Sequence, residues 1–465
     1  MDTNPTQTAF TKARHAQQHR PTTRELSDIL LRYHDLILTR QTELLDTIQA
    51  ETGKARAHAF DEVLDVAITA RHYAKIAPKA LKQTSKKGAL PVLTKTRVQR
   101  EPIGVVGIIA PWNYPLSLAI SDAIPAIMAG NAVVLKPDTQ TPRTAQLAAE
   151  ILYQAGLPRD LLHVVPGSGS DVGQAIAHTC DYLMFTGSTA TGRKLGAIAG
   201  ERLIGYSAEL GGKNPLIIDE TADPEQAARI AVQASFANSG QLCISIERIY
   251  VAEALRDAFL DAFVRRTKAL RVGIGGWDYD MGSLISAEHA HKVHEYVQDA
   301  VAKGAQVLTG GTPPEGKIYQ PTVLIDVPDT AHLKREEVFG PVVFVEAVGS
   351  AAEAVEKAND TDYGLNAAVV GRPKQAQAIA RQLHAGTVNI NEGFAAAWAS
   401  VDAPMGGWKA SGVGRRHGVE GILKFTETRT VAEQRLLPIG GPENLSREKY
   451  AKVMTSTLRL GKRFL

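Results

Sequence analysis

Gly104-Val105-Val106-Gly107-Ile108-Ile109, followed at once by Ala110-Pro111-Trp112-Asn113-Tyr114-Pro115, is the stretch from which the fold is read. A short run without a polar side chain, closed by prolines, has the pattern of a strand covered on both faces. Comparable runs recur at 132–135, 162–165 and 182–185, with helical patterns between them at 145–154 and 172–178. That alternation predicts an α/β fold in which a parallel sheet carries helices on both faces. Such a sheet offers ligands the carboxyl ends of its strands. Four polar motifs stand at those ends: Pro111-Trp112-Asn113-Tyr114-Pro115, Lys136-Pro137-Asp138-Thr139, Pro166-Gly167-Ser168-Gly169-Ser170-Asp171 and Thr186-Gly187-Ser188-Thr189-Ala190-Thr191-Gly192.

Outward from this core the character changes twice. Residues 7–82 read as helices, with apolar residues at helical spacing in Leu26, Ile29, Leu30, Tyr33 and Ile37. Their expected role is packing, and nothing catalytic stands out among them. Residues 84–100, with Lys86-Lys87-Gly88, Pro91 and the alternating 92–98, read as an exposed hairpin whose edge is open to another chain. Beyond Glu209 a second α/β region runs to about 425, with strands at 214–218 and 247–251 and a helix at 224–234. From Thr430 the chain is expected to return to the hairpin or to a neighbouring subunit. Residues 446–463 read as a basic amphipathic helix with Tyr450, Val453, Met454 and Leu458 on one side, expected to pack on the protein itself.

Composition bounds the function. A chain of 465 residues is long for one core, so two or three domains are expected. It is 44% hydrophobic and 22% charged, as ordinary globular proteins are. A formal charge of +3 over this length gives no reason to expect a nucleic-acid partner. Two cysteines make no disulfide framework and fit a reducing compartment. Met1-Asp2-Thr3-Asn4-Pro5 lacks the basic and apolar pattern of a signal peptide, and no run approaches the roughly 20 apolar residues of a membrane span. The expectation is a cytoplasmic protein without membrane, metal or nucleic-acid partner.

The chemistry concentrates in Phe236-Ala237-Asn238-Ser239-Gly240-Gln241-Leu242-Cys243-Ile244-Ser245 and, upstream, Glu209-Leu210-Gly211-Gly212-Lys213-Asn214-Pro215. A thiol nucleophile needs a nearby base, for its own proton or for the water that later releases product. Taken singly each is weak, since a free Cys is most often an inert buried hydrophobe. Cys180, just before the 182–185 strand, is read that way. An Asn amide is a neutral donor suited to an oxyanion. Gly-Ser turns opening a helix after a strand bring phosphate oxygens close to backbone N–H groups, although most such clusters are plain loops. The 13 histidines show no context of a Cys–His peptidase.

In this order and combination, the motifs resemble the aldehyde dehydrogenase superfamily over roughly residues 100–430. The resemblance implies a Rossmann-like cofactor-binding domain from 1–83 and 101–210, and an α/β catalytic domain from 211–429. It also implies a small β oligomerisation hairpin, with 84–100 and 430–465 bridging subunits in a homodimer or homotetramer. By resemblance Cys243 attacks the aldehyde, Asn113 and the Cys243 N–H hold the oxyanion, and Glu209 activates the hydrolytic water. Trp112, Lys136, Thr139, Gly187 and Ser188 would bind NAD or NADP. Glu337 and Phe339, from Glu336-Glu337-Val338-Phe339-Gly340-Pro341, would grip the nicotinamide ribose. Thr139 stands where many NAD-preferring members carry a ribose-binding Glu. Its neutrality removes a repulsion against a 2′-phosphate, so NADP becomes acceptable.

The texture of the chain most resembles the bacterial succinate-semialdehyde dehydrogenases, which makes succinate semialdehyde the leading substrate. The two arginines that hold the substrate carboxylate in that group are replaced here by Ser121 and Ala237. Asp122 occupies a position that is commonly Lys, and Arg416 one that is commonly a proton-passing Glu. Ser121, Asp122 and Ala237 are therefore the pocket candidates, and a broader aliphatic or aromatic aldehyde is the alternative. Glu209 favours hydrolysis over acyl transfer to coenzyme A, and the presence of Cys243, Glu209 and Asn113 disfavours a non-catalytic member.

Overall fold

The structure, a computed structural model, describes residues 4–88 and 93–462. The strand read first, Val105–Ile109, lies inside a six-stranded sheet with neighbours Ala132–Lys136 and Tyr182–Thr186 on its two sides. Leu162–Val164 and Gly205–Glu209 extend it, all in parallel, and Gly412–Val413 closes one edge antiparallel. Every residue of the three central strands is buried, which is why they read as unbroken apolar runs rather than alternating ones. The helical region forms four helices, Pro5–Gln18, Thr23–Thr39, Gln41–Thr52 and Arg56–Ala80. The second opens on a capping box, in which Thr22 and Glu25 satisfy each other's backbone N–H groups. Tyr33, Val63, Ala67 and Ala70 join the strands in one continuous core.

A second, seven-stranded sheet runs in the order 306–309, 322–325, 342–348, 246–252, 214–218, 366–370 and 387–390. It too is parallel except at the 306–309 edge. Helices Pro224–Phe236 and Arg256–Lys268 bury one face, and Ala287–Ala302 and Ala351–Asn359 the other. The chain then goes back to the first core, where Gly412–Val413 pairs with Gly205–Glu209 and Ile422 and Phe425 are buried.

The third sheet holds Thr84–Lys86, Thr94–Pro102 and Thr426–Gln434. The expected return of the chain to the hairpin takes this form, with Thr426–Gln434 antiparallel along all of Thr94–Pro102. Pro91 and Val92 of the expected hairpin lie outside the described residues. The C-terminal expectation needs correcting. Arg447–Gly461 is a helix, but none of its residues is buried, and Tyr450 reaches back only to the preceding loop among the described residues, its hydroxyl donating to the Ile439 carbonyl and its ring lying against Gly441. Its apolar stripe is short and its other faces carry Lys449, Lys452 and Arg459, so it has too little to bury against the body of the protein. Among the described residues no helix is long and apolar enough to cross a membrane.

Candidate active site

Cys243 sits in the turn between helix Pro224–Phe236 and strand Ile246–Ala252. The backbone before it is unusual: Asn238, Ser239 and Gly240 have φ of 49°, 57° and 70°. Such a left-handed run costs conformational energy and persists only when its surroundings hold it. Here Asn238 Nδ2 donates to the Asn113 and Gln241 carbonyls, both at 3.0 Å. Ser239 Oγ donates to the Gly282 carbonyl at 2.9 Å, and Gln241 Oε1 accepts from the Ile285 N–H at 2.8 Å. At Gly240 a Cβ would run into the Gly340 carbonyl, so only glycine fits.

Asn113 comes from the first sheet, in the loop after Val105–Ile109, and its Nδ2 donates to the Gln241 carbonyl at 3.0 Å. One amide hydrogen thus orients the side chain while the second stays available to an oxyanion. Lys54 fixes the same loop from below. Its Nζ donates to the Asn113 carbonyl at 2.7 Å and pairs with Glu62 at 2.5 Å, both side chains fully buried. Glu62 in turn accepts from the Leu116 and Ser117 N–H groups at 2.8 and 3.1 Å.

Glu209 is the last residue of its strand and is buried. Burial pushes its carboxyl up to about 7, against the downward pull of Arg416 and Lys424. Burial pushes the Cys243 thiol up to about 12, with Glu209 and then Glu337 adding to the effect. Glu337 is itself raised to about 8 by burial and by Glu247, while its Oε1 accepts from the Gly212 N–H at 2.9 Å. A thiol within electrostatic reach of two carboxyls whose pKa values burial raises can lose its proton to a neighbour when a reactive carbon arrives.

The remaining candidates fall into two groups. Trp112 and Phe339 meet edge to face with ring centroids 5.5 Å apart, so the two sheets join there. Phe339 is held at φ 55° because its N–H and that of Val338 donate to Glu247, the buried partner of Lys213 at 2.5 Å. Lys136 ends its strand buried, its Nζ bonded among the described residues only to the Pro137 carbonyl at 2.9 Å. Gly187 and exposed Ser188 open helix Thr189–Glu201, with Ser188 Oγ accepting from the Thr191 N–H. Thr139 is exposed in the loop beyond Lys136. An ammonium with donors to spare, a hydroxyl-capped helix start and an aromatic pair suit a dinucleotide. No cluster of metal-binding side chains occurs among the described residues.

Asn113, Ala237 and Cys243 line a cavity of about 500 Å³. Ser121 and Asp122, expected in its wall, are not part of it. The short helix Ser117–Ile120 turns Ser117 and Ser121 toward Asp65, with Ser121 Oγ donating to it at 2.6 Å. Asp122 is buried against Arg416 at 3.1 Å and Lys424 at 3.3 Å. Conversely, the N-terminal helices are more than packing: His58, Asp61 and Asp65 of Arg56–Ala80 line the cavity. Polar residues placed three and four apart on one helix face were the available signal. Trp277, Tyr279 and Asp280, also in the wall, were announced by an aromatic and acidic run after Gly275-Gly276.

Residues 1–431 match the sequence profile of the Aldehyde dehydrogenase family. The chain belongs to that family. It is 54% identical over 460 residues to a Mycolicibacterium smegmatis protein named "Putative succinate-semialdehyde dehydrogenase (NADP(+))", covering 97% of this chain and 89% of the relative. A Mycobacterium ulcerans protein bearing the same name with the suffix 2 is 48% identical, with the same coverage of 97% and 89%. Among solved structures, an E. coli NADP dependent enzyme superposes with a TM-score of 0.89 at 33% identity, covering 92% of this chain and 90% of that one.

Proposed function

We propose that the protein oxidises an aldehyde to its carboxylic acid with NAD(P)+, through a thiohemiacetal and then a thioester on Cys243. The observation that supports this most is that Cys243 and Asn113, from separate chain segments, line one cavity, with buried Glu209 near enough to raise the thiol's pKa. Cys243 gives its proton to a neighbouring carboxyl and its Sγ bonds to the aldehyde carbon. The free Asn113 N–H and the Cys243 N–H hold the resulting oxyanion. A bound nicotinamide dinucleotide supplies the hydride acceptor. Lys136, Gly187, Ser188 and Thr139 would hold its adenosine and phosphate end, and Trp112, Glu337 and Phe339 the nicotinamide end. Glu209 then takes a proton from water, which cleaves the thioester, releases the acid and restores Sγ.

NADP is the cofactor that Thr139 and the relatives' names favour. Those names also bring succinate semialdehyde as substrate. One observation favours a second reading, an uncharged or positively charged aldehyde: among the described residues no uncommitted Lys or Arg lines the cavity. The reading includes a soluble cytoplasmic enzyme divided into 1–83 with 101–210 for the cofactor and 211–429 for catalysis. A homodimer or homotetramer would form through 84–100 and 430–465. Purified enzyme should form NADPH and free acid from an aldehyde. Cys243→Ala should lose turnover while still binding the dinucleotide, and turnover surviving that change would sink the assignment.

A further inference from the structure

A base that takes a proton from water in every turnover has to hand it on before the next, and Glu209 is buried. The charged groups acting on it are poor recipients. Arg416 does not give up its own proton, and it is committed to Asp122 at 3.1 Å. Lys424 holds the other Asp122 oxygen at 3.3 Å. Next to Arg416 stands His417, which lines the Cys243 cavity and is only 6% exposed.

His417 takes no part in the chemistry proposed for Cys243, yet the fold holds it under strain. Its φ is 61°, in the left-handed region that side chains other than glycine rarely adopt. Its Nδ1 is buried without a hydrogen-bond partner among the described residues. Burial and then Arg416 push the imidazole down to about 4, against Asp65 and Asp122, so it is neutral at rest. A neutral imidazole can take a proton on one ring nitrogen while it releases one from the other.

From His417 a row of polar atoms leads outward. Asp65, Thr69 and His72 share one face of helix Arg56–Ala80. That helix packs on Gly418–Leu423, where a Cβ at Gly421 would strike the Tyr73 hydroxyl. Thr69 Oγ1 and His72 Nε2 are buried and, like His417 Nδ1, have no hydrogen-bond partner among the described residues. Buried polar atoms of this kind are the ones that ordered water satisfies. The row ends at solvent. Gly418 donates to the Val401 carbonyl at 2.8 Å, which brings the segment carrying His417 against Val401-Asp402. The Asp402 carboxylate lies 3.9 Å from His72 Nε2, and its side chain is 83% exposed against 9% for His72.

We infer that His417 and His72 carry the proton taken up by Glu209 out to solvent at Asp402, through water held between them. The inference rests on Glu209 activating the hydrolytic water. As the water oxygen bonds to the thioester carbon, its O–H breaks toward Glu209 and the C–S bond breaks toward Sγ. The proton then passes from Glu209 to His417, which releases another toward His72 and Asp402. Neither histidine bonds to substrate, so both act through Glu209.

The test follows NADPH with NADP+ and whichever of pentanal and succinate semialdehyde turns over faster. His417→Gly suits the left-handed backbone and leaves room for added imidazole. Its kcat should fall by about tenfold, less than the full cost of a missing general base because water still carries the proton slowly. The burst of NADPH that precedes hydrolysis should keep its rate, and imidazole in the buffer should restore most of kcat. His72→Gln, further along the row, should lower kcat by about threefold or more while KM holds. Full kcat in both variants overturns the inference. So does a fall in kcat that imidazole leaves untouched, which marks a merely structural role. Either result leaves the dehydrogenase reading standing if the unaltered enzyme makes NADPH and free acid. An unaltered enzyme that makes neither overturns that reading and the inference together.

Discussion

Arg416 and Asp122 form an ion pair with 3.1 Å between them, Asp122 buried, at the two positions where the family resemblance led to the opposite charges. Two departures that look independent in the sequence are one reversed pair in the structure. Both members act on Glu209, Arg416 pulling its carboxyl down and Asp122 pushing it up.

The pair can be reversed by experiment. Asp122→Ala strands Arg416 and Lys424 in the interior, and breaking a buried pair in this way costs about 3–5 kcal/mol. A clear fall in thermal midpoint is expected. Arg416→Glu should do comparable harm, and Asp122→Lys with Arg416→Glu should recover most of the loss. A double variant no better than either single one would mean that the two positions are not coupled.

The pH profile should follow Glu209. Its carboxyl, raised to about 7, must be ionised to activate water, so the deacylation rate should climb as pH passes through that value. Arg416 pulls the carboxyl down, so Arg416→Met should move the limb to higher pH. A shift to lower pH in single-turnover hydrolysis of the acyl-enzyme would contradict the assignment.

Alkylation reports on the thiol. With Cys243 raised to about 12, iodoacetamide should label the resting protein slowly at neutral pH. Glu209→Gln removes the second largest cause of that rise, so labelling should accelerate. Peptide mass spectrometry should place the label on Cys243 and leave buried Cys180, raised to about 11 by burial, unmodified.

Cofactor choice should turn on one side chain. Thr139→Glu puts a carboxylate where a 2′-phosphate would sit, and KM for NADP+ should rise by about tenfold or more, equivalent to about 1.4 kcal/mol or more. KM for NAD+ should fall or hold. Equal effects on the two dinucleotides would remove Thr139 from the cofactor site.

Sequence alone carried the central strands for physical reasons, whereas the pairing of Cys243 with Asn113 came from the family resemblance. Strands such as Val105–Ile109 and Ala132–Lys136 are covered on both faces, so burial writes itself as an apolar run. Turns such as Asn238-Ser239-Gly240 need residues that tolerate positive φ. Direction across a helix is harder to read. Ser121 and Asp122 sit in the right loop but one layer back, bonded to Asp65 and Arg416, which themselves line the cavity. Asp61 escaped notice because acids spaced along a long helix, here Asp61, Glu62 and Asp65, look like a solvated face. The C-terminal helix shows amphipathic spacing, yet spacing does not say whether anything lies opposite.

The Lys54 contacts bear on when the reactive centre comes into being. This one ammonium ties Glu62, the Asn113 carbonyl and, at 4.1 Å, the Tyr114 ring, while Asn238 reaches the same carbonyl from the far sheet. Three stretches distant in the chain, at 54–62, 113–114 and 238, must all be in place before Asn113 is aimed. During synthesis or refolding, Cys243 is therefore an ordinary exposed thiol until both sheets have docked, and only the finished molecule suppresses its reactivity. Chains interrupted on the way are the ones that oxidants and alkylating metabolites would reach first.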